Sequence, residues 1–273
     1  MRRSEVILLV LFLATALVYV VTRPTDAPTG PAPVEAAQPT VAGSRNGLNR
    51  PQATATLAPR PTPSPVPRYF SSAWLDAHSA PDAPAITAQG AIVVDRDTQQ
   101  MLYAKNIDDR RPPASIMKLV TAMVALDQAP ASRSITVSAA AAAMEPNRMG
   151  LDAGEQLTVQ DVLYGLLLDS GNDAAEALAD ALGGHDAFLQ KMNAKAADLG
   201  LTNTHFVDTA GLDDANYTTP YDMAVLADAA YTGYPTIRTV VGTKQVTIAG
   251  TATHKWFQPT NLNDLLWDYP GTY

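Results

Sequence analysis

Two short groupings carry residue types suited to nucleophilic catalysis. Ser115 stands three residues before Lys118 in Pro113-Ala-Ser115-Ile-Met-Lys118-Leu-Val-Thr-Ala-Met-Val-Ala-Leu126. Pro112 and Pro113 cannot continue a preceding helix but are tolerated in a first turn, so they mark a helix start. Ser115 then falls at or next to the N-cap, where a serine oxygen is favoured. Leu119, Val120, Met123, Val124 and Leu126 make the helix apolar nearly all round, the pattern of a buried helix. Positions i and i+3 share a helix face, so the hydroxyl and the amine should lie side by side at its N-terminal end. The exposed N–H groups there disfavour a cation, and burial disfavours it again; both effects lower the amine's pKa. A neutral amine beside a serine hydroxyl can take its proton. The competing reading is a lysine that snorkels from a core helix to solvent. Ser-x-x-Lys alone is too short a pattern to separate the two.

The second grouping is Ser170-Gly-Asn172, inside the turn-prone run Asp169-Ser-Gly-Asn-Asp173 between two apolar stretches. A hydroxyl there can relay a proton, and an amide can both donate to and accept from a peptide group. Ser, Gly and Asn are also common in a plain helix–helix turn. Ser-x-Asn recurs at Ser44-Arg-Asn46.

The elements that must position these residues can be read in outline. The apolar runs 91–94 and 101–104 flank the polar Asp95-Arg-Asp-Thr-Gln99 and predict a β-hairpin, although its turn lacks an Asn-Gly signature. Residues 138–144 are Ala-rich. Residues 157–168 are apolar at helical spacing, with Thr158 as N-cap and Asp161 three residues on. A helix over 174–182 ends at Gly183-Gly184, a C-cap signal. An amphipathic helix follows over 185–199, and Thr219 caps another that runs through Ala230. Residues 239–248 read as extended.

Composition narrows the chemistry. The chain has no cysteine, which removes disulfides and thiolate catalysis. Its histidines, His78, His185, His205 and His254, lack ligand spacing, so no metal is expected. Arg2 and Arg3 precede an unbroken apolar run, 6–21. That pattern predicts a signal anchor over residues 1–22, spanning a membrane through 6–21, with the N-terminus cytoplasmic and the rest outside. Residues 23–68 are crowded with Pro, Thr and Ala and predict a disordered linker. Residues 1–68 hold seven Lys/Arg and three Asp/Glu, a net of +4; residues 69–273 hold twelve and twenty-four, a net of −12, which together give −8. An acidic domain over 69–273 with no basic stripe argues against nucleic acid as a partner.

Order and flanks add more than either grouping alone. Ser115-x-x-Lys118 opens a buried helix, and Ser170-Gly-Asn172 follows at a helix junction. This resembles the penicillin-interacting serine acyltransferases, whose motifs include S-x-x-K, S-D-N and K-T-G. The closer likeness is to the D-alanyl-D-alanine carboxypeptidases, the low-molecular-weight penicillin-binding proteins, in which Ser-Gly-Asn is common. The segment 113–126 is similar to that family's first-motif helix. Gly150-Leu-Asp-Ala-Gly-Glu155 and Leu163-Tyr-Gly-Leu-Leu-Leu-Asp-Ser-Gly-Asn-Asp-Ala-Ala175 resemble its second-motif region. Asn203-Thr-His-Phe206, Gly211-Leu212 and Tyr217-Thr-Thr-Pro-Tyr-Asp-Met-Ala224 resemble the segment after it, and Asn261-Leu-Asn-Asp-Leu-Leu266 with Tyr269-Pro-Gly271 the approach to the third motif. The resemblance implies an α/β, β-lactamase/transpeptidase-like fold: a sheet flanked by helices plus a helical subdomain. It implies Ser115 as nucleophile, Lys118 as general base, Ser170 as a proton relay to the leaving D-alanine, and Asn172 as a substrate-backbone ligand. It implies no cofactor, a peptidoglycan pentapeptide ending in D-Ala-D-Ala as substrate, β-lactams as covalent inhibitors, and a bacterial cell-membrane location with the domain extracytoplasmic.

One departure qualifies the likeness. The family's Lys-Thr-Gly strand should come just after Tyr269-Pro-Gly271, and the sequence stops at Tyr273. Thr243-Lys244-Gln245 is no substitute: it lacks Thr-Gly and precedes the Asn261 segment. The expectation is a domain truncated before Lys-Thr-Gly, with impaired carboxypeptidase activity and exposed strand edges. A β-lactamase-related hydrolase and a catalytically dead peptidoglycan-binding module are the alternatives.

Overall fold

The computed structural model describes residues 6–10, 17–18, 85–269 and Thr272. A four-stranded antiparallel sheet holds β1 (Val6–Val10), β2 (Leu17–Val18), β3 (Ala91–Asp95) and β4 (Gln100–Lys105) in the order β2-β1-β3-β4. The expected hairpin is β3–β4, and its turn has its own chemistry. Asp95 Oδ1 accepts the N–H groups of Asp97 at 2.9 Å and Thr98 at 3.1 Å, so an Asx-type turn stands where an Asn-Gly would. A bulge between Val93 and Val94 shifts the register.

Residues 6–10 pair along the other edge of β3, from Val6 opposite Asp95 to Val10 opposite Ala91. These residues and 17–18 are strands, where the sequence pattern placed them in a membrane-spanning segment. The rest of 6–21, and the linker 23–68, lie outside the described residues. Among the described residues no helix is long and apolar enough to cross a membrane.

The helical part is built around α1 (Lys118–Gln128), entered through a 3-10 turn, Ala114–Met117. Residues 120–125 of α1 are all buried, as its all-round apolar pattern predicts. A short α2 (Ala139–Ala142) follows β5 (Ser134–Thr136), which pairs with β6 (Gln156–Thr158) in a separate two-stranded ribbon. Then come α3 (Val159–Leu167), α4 (Asn172–Ala181), α5 (His185–Asp198), α6 (Pro220–Gly233), α7 (Pro235–Val241) and α8 (Asp264–Asp268). Helices α3, α4, α5 and α6 all pack on α1, and α6 also packs on β3. An ion pair ties sheet to helices: Arg96 Nε lies 2.6 Å from Asp228 Oδ1, and its guanidinium sits over the Tyr231 ring.

Local signals explain most of these ends. Thr158 and Asp161 close a reciprocal capping box at the start of α3. Thr219 accepts from Asp222 N–H with Pro220 in the first turn of α6. Of the segment read as extended, Gln245 and Ile248 do form antiparallel bridges, to Thr260 and Phe257, but Thr239, Val240 and Val241 complete α7, which Pro235 initiates. Their β-branched side chains suggest a strand, but Ile237 and Val240 are buried in the core on one helical face.

Replacing Thr158 by Ala removes one half of the α3 capping box. The expected loss is about 1 kcal/mol of stability, read as a lower urea midpoint with an unchanged slope. No shift in midpoint would mean that the cap contributes nothing.

Candidate active site

Ser115 sits in the 3-10 turn that leads into α1. Its hydroxyl does not cap the helix. Pro113 occupies the cap position without a side-chain bond, and Ser115 Oγ lies 2.8 Å from Lys118 Nζ instead. One helical step from Ser115, Lys118 is 2 % exposed. Its amine meets three further acceptors: Asn172 Oδ1 at 2.8 Å, the Ala210 carbonyl at 2.9 Å and Ser170 Oγ at 3.4 Å. The snorkelling alternative is therefore excluded, and the four residues singled out in the sequence meet at one nitrogen.

Burial pulls the Lys118 ammonium down from 10.5 to about 8, against the attraction of the Asp208 and Asp173 carboxylates. A neutral amine has two N–H groups and one lone pair. Asn172 Oδ1 and the Ala210 carbonyl are acceptors only, so they take the two N–H groups. The lone pair is left for the Ser115 hydroxyl. This geometry aims the lone pair of a buried neutral amine at one oxygen.

Ser170 and Asn172 are delivered by the junction of α3 and α4. Ser170 has a φ of 57°, a left-handed conformation that carries strain in a non-glycine residue. Between them Gly171 has no room for a side chain: a Cβ would stand 2.8 Å from Asp173 Oδ1 and 3.0 Å from Met149 N. Asn172 is 3 % exposed. One end of its amide accepts from Lys118, and the other donates to the Glu145 carbonyl at 3.0 Å. In this structure it is a holder of the base; the substrate contact expected of it is not made by these two bonds.

Two carboxylates outside the expected set shape the walls. Asp173 is fully buried and accepts from the backbone N–H groups of Met149, Gly150 and Leu151 at 2.8–2.9 Å, which pins the 145–151 loop beside Ser170. Asp208 accepts from Ala210, Gly211, Leu212 and Asp213 N–H groups and from Asn216 Nδ2. Burial opposes its charge, but the backbone donors Gly211, Asp213 and Ala210 outweigh burial and hold its carboxyl below the usual range. This carboxylate shapes the turn that presents the Ala210 carbonyl. Gly211, with φ at 87°, lies against the backbone that carries Ser115: a Cβ would come within 2.1 Å of the Ala114 oxygen and 3.0 Å of Ser115 N. The signal for this turn was present as Asp208-Thr-Ala-Gly211, an acid three residues before a glycine, but a carbonyl ligand leaves no side-chain signature.

The site opens on a cavity of about 180 Å³, whose lining includes Ser115, Lys118 and Ser170, the polar Tyr231, Arg238 and Asn261, and the apolar Leu119, Leu166, Ile237 and Val241. Asp169, next to Ser170 in the chain, accepts from Thr260 N–H at 2.9 Å, which ties the segment before Asn261 to the α3–α4 junction; burial raises its pKa. A serine and a buried lysine at a helix entrance, with a Ser-Gly-Asn turn against the lysine's amine, have the motif arrangement of the penicillin-interacting serine acyltransferases.

Comparison with known proteins narrows the class. Residues 77–272 match the D-alanyl-D-alanine carboxypeptidase family, peptidase family S11. The chain belongs to this family. It is 37% identical over 191 residues to D-alanyl-D-alanine carboxypeptidase DacF of Bacillus subtilis (strain 168), covering 67% of this chain and 49% of the relative. It is 42% identical over 153 residues to DacB2 of Mycobacterium tuberculosis (strain ATCC 25618 / H37Rv), covering 55% and 52%. It thus spans about half the length of each of these two relatives. The crystal structure of the Streptomyces K15 DD-transpeptidase superposes with a TM-score of 0.64 at 37% identity, covering 69% of this chain and 78% of that one. The α/β fold of the DD-transpeptidases and penicillin-binding proteins, expected from the motifs, is the fold of this chain.

The folded protein gives up the Lys118 proton before the unfolded chain does. Between about pH 8 and 10.5 the unfolded state therefore binds more protons, and Lys118 contributes more to stability as pH rises through that window. Urea unfolding of wild type and Lys118→Met at pH 7.5 and 9.5 should show the wild type gaining on the variant at the higher pH. An equal gap at both values would place the lysine's folded pKa near its ordinary value. Gly211→Ala should cost on the order of 2 kcal/mol, because both φ and the Ala114 oxygen oppose a methyl group there; thermal unfolding at wild-type temperature would contradict that contact.

Proposed function

We propose that this chain is a serine-type D-Ala-D-Ala carboxypeptidase acting on peptidoglycan stem peptides through an acyl-enzyme. The observation that carries the reading is the 2.8 Å approach of a buried Lys118 amine to Ser115 Oγ. Neutral Lys118 takes the Ser115 proton as Oγ bonds to the carbonyl carbon of the penultimate D-alanine. The proton then passes to the leaving D-alanine nitrogen through Lys118 and Ser170, whose oxygen lies 3.4 Å from Nζ. Water attacks the ester and frees Ser115, with the same amine as base. The backbone N–H of Ser115, in the first turn of a helix, can donate to the oxyanion. The remaining capacity of the Asn172 amide serves the substrate backbone. A β-lactam carbonyl enters by the same route and acylates Ser115. The match to D-alanyl-D-alanine carboxypeptidases along residues 77–272 supports this substrate class.

The basic residues Arg2 and Arg3 before the apolar run 6–21 support a bacterial cell-membrane location with the domain outside, and the pairing of residues 6–10 with β3 is the observation that counts against that run as the crossing segment.

A fluorescent penicillin should label the chain at one site, and Ser115→Ala should abolish the label without unfolding the protein. Lys118→Ala should slow labelling by about a thousandfold or more, as the loss of a catalytic base does. Release of D-alanine from an N-acyl-Lys-D-Ala-D-Ala peptide should require both residues. Labelling that survives Ser115→Ala would end this assignment.

A further inference from the structure

Three side chains from two helices close on one short loop, and a fourth, Asn172, holds one of the three. From α1, Lys118 Nζ donates to the Ala210 carbonyl at 2.9 Å, and Thr121 Oγ1 donates to the Thr209 carbonyl at 2.7 Å. From α4, Asn172 Oδ1 accepts from Lys118 Nζ at 2.8 Å, and Glu176 Oε2 accepts from Thr209 Oγ1 at 2.9 Å. The spacings, three residues on α1 and four on α4, put each pair on one helix face. The site's base and its holder are thus repeated one turn on by a second pair that touches the same loop.

The second pair is costly to bury. Thr121 is 0% exposed, Thr209 1% and Glu176 6%. A buried carboxylate is tolerated only where donors meet it. Glu176 has two: the Thr209 hydroxyl on the inner side, and His185 Nδ1 at 2.7 Å toward the rim. An apolar residue would fill the same place without this cost, so the fold alone gives no reason for the acid.

We infer that Glu176 and Thr209 are positioning residues for the general base: by gripping the Thr209 hydroxyl, Glu176 fixes the next carbonyl, that of Ala210, against Lys118 Nζ. The loop has three fastenings. Asp208 holds the N–H groups of Ala210 and Gly211. Thr121 holds the Thr209 carbonyl. The Thr209 side chain is the third, and it sits on the residue between. Without it the Ala210 peptide unit can tilt, Lys118 loses an acceptor, and its lone pair no longer points at Ser115. Neither residue touches Ser115, and neither belongs to the Ser-x-x-Lys or Ser-Gly-Asn groupings. The role rests on the reading of Ser115 and Lys118 as the acylating pair.

The test uses Thr209→Val, which keeps the side chain's shape and removes its hydroxyl. Glu176 keeps His185 as a partner in that variant, and Thr121 and Asp208 still hold the loop. Two quantities are read on the full chain. One is the Lys118 titration midpoint, followed by the 13Cε shift and assigned by its loss in Lys118→Met. The other is the rate of Ser115 labelling by a fluorescent penicillin. Burial depresses the lysine, so an amine released toward the cavity should titrate higher by about one pH unit, and labelling should slow about tenfold. Thr209→Ser, which restores the hydroxyl, should recover both. A midpoint that stays in place in Thr209→Val overturns the inference, whatever happens to the melting temperature. A shift that Thr209→Ser fails to reverse overturns it as well, since packing of the methyl group would then be the cause. If the wild type takes no penicillin label but the midpoint moves and recovers as expected, the acylation reading fails and the positioning of Lys118 stands.

Discussion

The structure depends on keeping one amine out of water without pairing it to an acid. Lys118 is 2 % exposed, and the groups within hydrogen-bond distance of its nitrogen are two hydroxyls, an amide oxygen and a backbone carbonyl. Each is a neutral acceptor. A carboxylate in any of these places would stabilise the ammonium and remove the base. Neutral acceptors satisfy the nitrogen in both protonation states. They let burial set the balance, and the pKa comes down to about 8.

That arrangement requires several segments to converge to within hydrogen-bonding tolerance, and the backbone is strained where they do. Ala114 and Ser170 both have left-handed φ values, 50° and 57°; Ala114 precedes Ser115, and Ser170 carries one of the hydroxyls at the nitrogen. Such conformations cost roughly 1–3 kcal/mol each and persist only when the surroundings over-determine them. The surroundings here are specific. Gly211 presses on the Ala114 carbonyl with no space for a Cβ. Gly171 N–H donates to the Gly165 carbonyl at 3.0 Å, and Asp173 grips the 145–151 loop beside it. The absence of side chains at Gly171 and Gly211 is what lets three backbone segments approach the same point.

Much of this was legible in the sequence because it is written in side chains. The all-round apolar pattern of residues 119–126 announced α1, and Ser115, Lys118, Ser170 and Asn172 were marked by type and spacing. Thr158 and Thr219 announced two helix starts. What was not legible is carried by the backbone or by distant partners. The Ala210 carbonyl has no residue preference, and its turn is set by Asp208 through backbone N–H groups. Ser115 looked like a cap because a serine before a helix usually is one; the nearby amine competes for its oxygen and wins. Residues 239–241 looked extended because β-branched residues favour strands, but Pro235 and burial of Ile237 and Val240 decide for helix. The strand pairing of residues 6–10 was also beyond reach, since an apolar run has no period that separates strand from helix.

Two acids near Lys118 would seem to defeat the design, since Asp173 and Asp208 both pull its pKa upward. Their hydrogen bonds explain why they do not prevail. Asp173 accepts from four backbone N–H groups, Met149, Gly150, Leu151 and Ala174. Asp208 accepts from four more and from the Asn216 amide. Each charge is already solvated by oriented dipoles, so little is gained by reaching for the lysine. The same bonds fold the loops that supply the lysine's neutral acceptors. The two carboxylates therefore act on the base mainly through geometry: they shape the 145–151 and 208–213 turns, and those turns, with α4, hold Asn172 and the Ala210 carbonyl where only an uncharged amine can use its lone pair on Ser115.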